Sequence, residues 1–112
     1  MIPRLNRALQ LETAQRIADG AGGFSEVWQG LGTVWAEVSA RGAGRERGGE
    51  ALPLGQVGWR IVVRGAAQGD PVRPQAGQRF REGARVYRIL AVAERDPAGR
   101  YLTCFASEEA VA

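Results

Sequence analysis

Histidine and lysine are absent, cysteine and methionine occur once each, and no apolar run is long enough to cross a bilayer. Each gap removes a class of function. Without histidine the chain lacks the side chain that ordinarily titrates near neutral pH and the usual nitrogen ligand of zinc, and Ser25, Ser39 and Ser107 have no imidazole to activate them. The lone Cys104 cannot close an internal disulfide. It sits in the apolar run Tyr101-Leu102-Thr103-Cys104-Phe105, where a buried, unreactive thiol is expected. The longest strongly hydrophobic piece, Ile89-Leu90-Ala91-Val92-Ala93, falls far short of the roughly 20 residues of a spanning helix, so no membrane partner is expected.

Phosphate-binding signatures are missing too. Gly20 to Gly23 precedes a strand candidate instead of following one, and Gly42 to Gly49 has neither a lysine nor an adjacent hydroxyl, so no nucleotide cofactor is implied. The carboxylate pairs Glu46 with Glu50 and Glu108 with Glu109 fit a loop and a tail better than an acid–base couple. No catalytic residue, cofactor or metal site is expected. The N-terminal run Met1-Ile2-Pro3-Arg4-Leu5 has no apolar targeting core, which points to synthesis in the cytoplasm and work there or in something assembled there.

What remains is a chain of 112 residues, 45% hydrophobic and 24% charged, with 16 glycines and 5 prolines. That suits one small domain with a thin core and argues against a long-helix bundle. All fifteen positive charges are arginine, for a net +3. They are unevenly placed: residues 60–88 hold seven arginines against Asp70 and Glu82, and residues 89–112 hold two against Glu94, Asp96, Glu108 and Glu109. A guanidinium fork suits phosphate and carboxylate alike, so the basic region fits either nucleic acid or acidic protein partners.

Residues 7–17 (RALQLETAQRI) admit two readings, because Leu9, Leu11 and Thr13 alternate as in a strand while Leu5, Leu9 and the alanines suit a helix, toward which propensity leans. Asp19-Gly20-Ala21-Gly22-Gly23 reads as a hairpin-like turn. Phe24–Trp28 and Thr33–Val38, separated by Gly30-Leu31-Gly32, are strand candidates. Residues 41–56 (RGAGRERGGEALPLGQ) form a long loop without a sustained period, either a mobile arm or binding loop or a plain solvated linker. Trp59 to Arg64 alternates, with Trp59, Ile61 and Val63 facing a core and Arg60, Val62 and Arg64 making a basic face. After a loop over residues 65–77, Gln78–Arg81 and Arg85–Ala93 make a hairpin, and the turn Asp96-Pro97-Ala98-Gly99 leads to a last strand, Tyr101–Ala106, with Ser107–Ala112 as a loose acidic tail. Trp28, Trp35 and Trp59 are expected to pack in the core or at a barrel end. The fold class is all-β: a small antiparallel barrel of six or seven short strands with one long extended loop.

Several of these pieces occur in a recognisable order: Asp19-Gly20-Ala21-Gly22-Gly23, Thr33-Val34-Trp35-Ala36, Gly44-Arg45-Glu46, the basic strand Trp59–Arg64, and Phe80-Arg81-Glu82-Gly83-Ala84-Arg85-Val86-Tyr87-Arg88-Ile89 ahead of the Asp96–Gly99 turn. From about Leu5 to Phe105 the chain resembles the head closure, or head–tail joining, proteins of long-tailed phages and of phage-derived gene transfer particles. The resemblance implies a structural connector and not an enzyme. Such a protein is assembled in the bacterial cytoplasm and forms a ring, about six or twelve copies, at the neck of the particle. It would close the DNA-filled head and dock the tail. Its partners would be other copies of itself, a portal or adaptor protein on the head side, a tail terminator or tail tube protein on the tail side, and double-stranded DNA in the channel.

The resemblance also makes residues 7–17 the first strand. It makes the 41–56 loop, with Arg41, Arg45, Glu46, Arg47 and Glu50, an assembly or gating segment. Arg60, Arg64, Arg79 and Arg81 then form a basic surface facing a partner or DNA. The competing reading of the residues is a monomeric nucleic-acid-binding barrel using Trp59, Arg60, Arg64, Arg79, Arg81, Arg85 and Arg88.

Overall fold

The computed structural model describes residues 2–41 and 58–109. Six strands form: β1 Arg7–Ala18, β2 Phe24–Ala40, β3 Gly58–Arg64, β4 Arg79–Glu82, β5 Arg85–Glu94 and β6 Tyr101–Glu109. Every pairing is antiparallel, and the strands close on themselves in the order β1-β2-β3-β6-β5-β4. The fold is all-β, as expected. Closure leaves no unpaired sheet edge around the barrel wall.

The strand reading of residues 7–17 holds over the helical propensity because the alternation places Leu9 and Leu11 inside, both fully buried. They join Ala36, Ile61, Val63, Phe80, Tyr87, Ile89, Leu102, Cys104 and Ala106 in one core. The two strand candidates of the first half prove to be one element. Gly30-Leu31-Gly32 does not end a strand; it is a bulge, with Leu11 opposite Gly32 and Glu12 opposite Gly30, so that Leu31 is the extra residue. A second irregularity in β5, between Ile89 and Ala91, leaves Leu90 half exposed inside the longest apolar run.

Two boundary expectations change. Ser107, Glu108 and Glu109 are not tail but the end of β6, paired with Arg88, Tyr87 and Val86. Arg85 holds Glu108 through two hydrogen bonds, at 2.8 and 3.1 Å, which outweighs the strand-poor character of Ser-Glu-Glu. Val62, expected on the basic outer face, is buried. It lies on the outside of β3 beside Thr103, and the N-terminal segment crosses it there. Arg4 N donates to Glu37 Oε2 on β2 at 3.0 Å, Ile2 lines a recess with Arg95, Asp96, Arg100 and Tyr101, and the intervening Pro3 is buried.

The barrel has two unlike ends. At one lie the Gly83-Ala84 turn, the Arg7–Glu82 pair, and Arg41 and Gly58, joined by a 2.9 Å hydrogen bond from Arg41 N. At the other, β1 and β2 run past the wall. β4 covers β1 only from Gln10 to Glu12, so Thr13–Ala18 and Phe24–Gln29 pair with each other alone as a two-stranded arm. The arm's turn is held by Asp19, whose Oδ1 accepts from Ala21 N and Gly23 N while Gly20 and Gly22 supply positive φ.

The loop over 65–77 connects strands on opposite sides of the ring and therefore crosses this same end. It buries Pro74, lays Val72 over Gly32, and returns to the sheet through Gly77 N to Ile89 O at 2.9 Å. Gly65 begins the crossing. Its nitrogen donates to Arg100 O at 2.7 Å, and a Cβ there would stand 2.1 Å from Gly99 O.

Candidate interaction surfaces

The four arginines expected to form one basic surface do not meet. β3 and β4 are separated by two strands in either direction around the ring, which sends Arg60 and Arg64 to one side and Arg79 and Arg81 to the other. Their surroundings differ as much as their positions.

On the β4 side the arginines are neutralised. Glu12 follows Leu11 in β1 and faces outward, yet it is buried, because Arg79 and Arg81 close over it from the next strand. Arg79 Nε donates to Glu12 Oε1 at 2.7 Å and Arg81 Nε to Oε2 at 2.9 Å. Burial pushes this carboxyl up, but the two guanidinium hydrogen bonds outweigh it and hold Glu12 below the usual glutamate range. Arg79 also stands 4.2 Å over the Trp28 ring, and Arg88 lies 5.4 Å from the same ring. Trp28 is thus half-buried where the arm leaves the barrel, clasped by two cations. This cluster braces the arm.

On the β3–β6 side the described neighbours of the arginines are aromatic instead. Arg60 and Arg64 are exposed, and with Arg41 they form a column beside outward-facing aromatic rings of β6. Arg41 and Arg60 lie 5.6 and 6.0 Å from the Phe105 centroid, and Arg64 lies 5.9 Å from that of Tyr101. Among the described residues none of the three meets a carboxylate. Of the loop residues singled out with Arg41, the others, Arg45, Glu46, Arg47 and Glu50, lie outside the described residues.

The end of the barrel near Arg41 is a network of ion pairs. Arg7 binds Glu82, Arg85 binds Glu108, and Trp59 Nε1 donates to Glu108 at 3.1 Å. Hydrogen bonds from Arg7 and Arg85 respectively hold Glu82 and Glu108 below the usual range. Trp59 packs edge-on against the buried Tyr87, with centroids 5.9 Å apart. This tryptophan takes the expected packing role at a barrel end. Trp35 does not: it stands 57% exposed on the outside of β2, because the alternation that buries Ala36 turns its neighbour outward.

Trp35 lines a groove of about 620 Å³ with Leu5, Val34, Arg64, Gly65, Ala66 and Val72. Neither this groove nor the exposed arm was visible in the sequence, since both depend on strand overrun and loop crossing. The nearest sequence signal was the length of the two β1–β2 segments relative to the strands they meet.

No described group has the makings of a reactive centre. Cys104 is fully buried, and burial pushes its thiol up to about 12, far from a nucleophilic thiolate. Among the described residues no cluster of histidine, cysteine, aspartate and glutamate is arranged to hold a metal ion. The described surfaces, with their exposed arginines and aromatic rings, are suited to protein or polyanion contact.

Comparison with known proteins agrees with this geometry. A chain from the virion of a native gene transfer agent particle is 59% identical, aligns over 99% of this chain and 100% of its own, and superposes with a TM-score of 0.80. The solution structure of protein SF1141 from Shigella flexneri 2a is 27% identical over 97% of this chain and 96% of its own, with a TM-score of 0.69. No curated protein sequence matches the chain. The model of the phage head completion protein family matches residues 1–109, nearly the whole length. The chain therefore belongs to the phage head completion protein family, a family of structural virion proteins and not of enzymes.

Proposed function

We propose that the protein is a connector of a tailed phage or gene transfer particle: copies form a ring at the head–tail neck, close the DNA-filled head and dock the tail. The single observation that carries this reading is the 59% identity, end to end, with a chain of a gene transfer agent virion. The physics of the barrel supports it. A ring repeats each subunit's surface, so Arg41 and Arg60, the part of the column away from the arm end, become a band of positive charge facing acidic partners or the DNA in the channel. Arg79 and Arg81, neutralised by Glu12, belong to the scaffold of the arm instead. Arg41 and Gly58 bracket residues 42–57 at the barrel end opposite the arm. On this reading the segment with Arg45, Glu46, Arg47 and Glu50 acts in assembly or gating.

The test is a producing strain from which the protein has been deleted. Filled heads without tails, restored to whole particles by the wild-type chain, are expected; normal particles in the deletion would overturn the reading. Salt dependence separates the competing nucleic-acid module. That module would bind free duplex with affinity falling steeply as salt rises, and a connector holds free DNA weakly but joins portal or tail complexes.

A further inference from the structure

Two features at the arm end of the barrel are chemically matched but cannot meet within one molecule. The first is the arm tip, where Phe24 is 60% exposed on the same face as Glu26, with the Arg16 guanidinium 4.4 Å over one side of its ring and opposite Glu26 across the two strands; with Asp19 at the turn, the arm from residue 13 to residue 29 keeps a net charge of −1. A two-stranded ribbon that exposes a phenylalanine has no core of its own to keep it ordered. The second is the groove between β2 and the 65–77 loop, walled by Leu5, Val34, Trp35 and Val72, with Arg64 as the only charged residue of its lining. Arm and groove therefore carry charge of opposite sign around complementary apolar surface.

β2 itself keeps them apart. It runs unbroken from Phe24 to Ala40, so ten residues of extended strand, about 33 Å, separate Phe24 from Val34 at the groove. The arm cannot fold back into its own groove. The occupant must come from another molecule, and a second copy supplies the right chemistry at the right stoichiometry.

We propose that the arm tip of each copy seats in the groove of the next, with Phe24 against Trp35 and Val72 and Glu26 reaching Arg64. The contact joins two different patches, so it is heterologous, and repetition propagates it from copy to copy until the ring closes. The inference rests on the connector reading and names the joint between its subunits.

A paired-cysteine variant of the full chain, Phe24→Cys with Val72→Cys, tests it in particles treated with the thiol oxidant diamide. Native Cys104, fully buried, stays silent. The expected result is a non-reducing ladder extending past dimer in the double variant and monomer in each single one. Monomer only, in particles that contain the chain, would overturn the arm-in-groove joint. A ladder stopping at dimer would overturn it too, since that is the mark of a reciprocal two-fold contact. Should the cysteine variant fail to enter particles, charge reversal decides. Glu26→Arg and Arg64→Glu are each expected to lower particle titre at least ~10-fold and to recover most of it when combined; no recovery counts against the joint. Absence of the chain from wild-type particles would overturn the connector reading itself, an outcome distinct from any of these.

Discussion

Glu12 shows how one residue couples the fold to the surface. A carboxylate just past two core leucines is affordable there only because β4 brings two arginines across it, and its removal leaves two guanidinium groups facing a gap. Glu12→Gln is expected to cost about 1–3 kcal/mol, below the figure for a fully buried pair because Arg81 retains solvent. Chemical denaturation of the variant beside wild type checks this. Gly65 is the opposite case, a site where any side chain is too much. With Gly99 O 2.1 Å from the position of a Cβ, Gly65→Ala must push the 65–77 crossing away from the β5–β6 turn. A loss of about 1–3 kcal/mol is expected, read as a lowered Tm. A Tm equal to wild type would show that the two loops part freely.

Among the elements, the arm is the one that stability does not explain. Apart from the half-buried Gly23, Gln15 to Val27 is exposed, and it pairs with no strand but its own partner. Replacing residues 15–27 by an Asn-Gly turn is therefore expected to leave the barrel folded, with Tm within a few degrees of wild type, while abolishing particle assembly. Loss of folding in this variant, seen by circular dichroism, would make the arm part of the scaffold. Its base is a different matter, since Trp28, Arg79 and Arg88 fix the angle at which it leaves the wall.

At the scale of the whole molecule, the pH dependence of stability follows from five carboxylates, the turn residues Asp19 and Asp96, held low by hydrogen bonds that include backbone N–H groups, and three glutamates. Glu12, Glu82 and Glu108 all titrate below their ordinary value of 4.5 in the folded state, because arginines hydrogen-bond their ionised forms. The folded chain thus binds these protons less tightly than the unfolded one, and the stabilisation is complete above pH 4.5 and lost as pH falls through the lowered values. With no histidine in the chain, thermal unfolding is expected to be nearly flat from pH 8 to pH 5 and to weaken steeply below pH 4.5. A step near pH 6.5 would contradict it.

Much of the fold was legible in the chain because it rests on local rules. Alternation at Ile61 and Val63 named the core face of β3, and the Asp19–Gly23 and Asp96–Gly99 turns placed two hairpins, whereas alternation at Leu9 and Leu11 left a helix open until the family resemblance made that segment a strand. Absence of histidine and a single cysteine set in an apolar run removed most chemistry at the level of the sequence. Tertiary structure alone decided what the arginines do, since two strands that both read as basic stand on opposite sides of a closed ring and, among the described residues, only one of them meets a carboxylate. The same holds for the overrun of β1 and β2, the groove beside Trp35, and the N-terminal segment over Val62. Each is a relation between residues far apart in sequence, fixed by strand order and by which neighbour stops first, and periodicity along one strand carries no information about either.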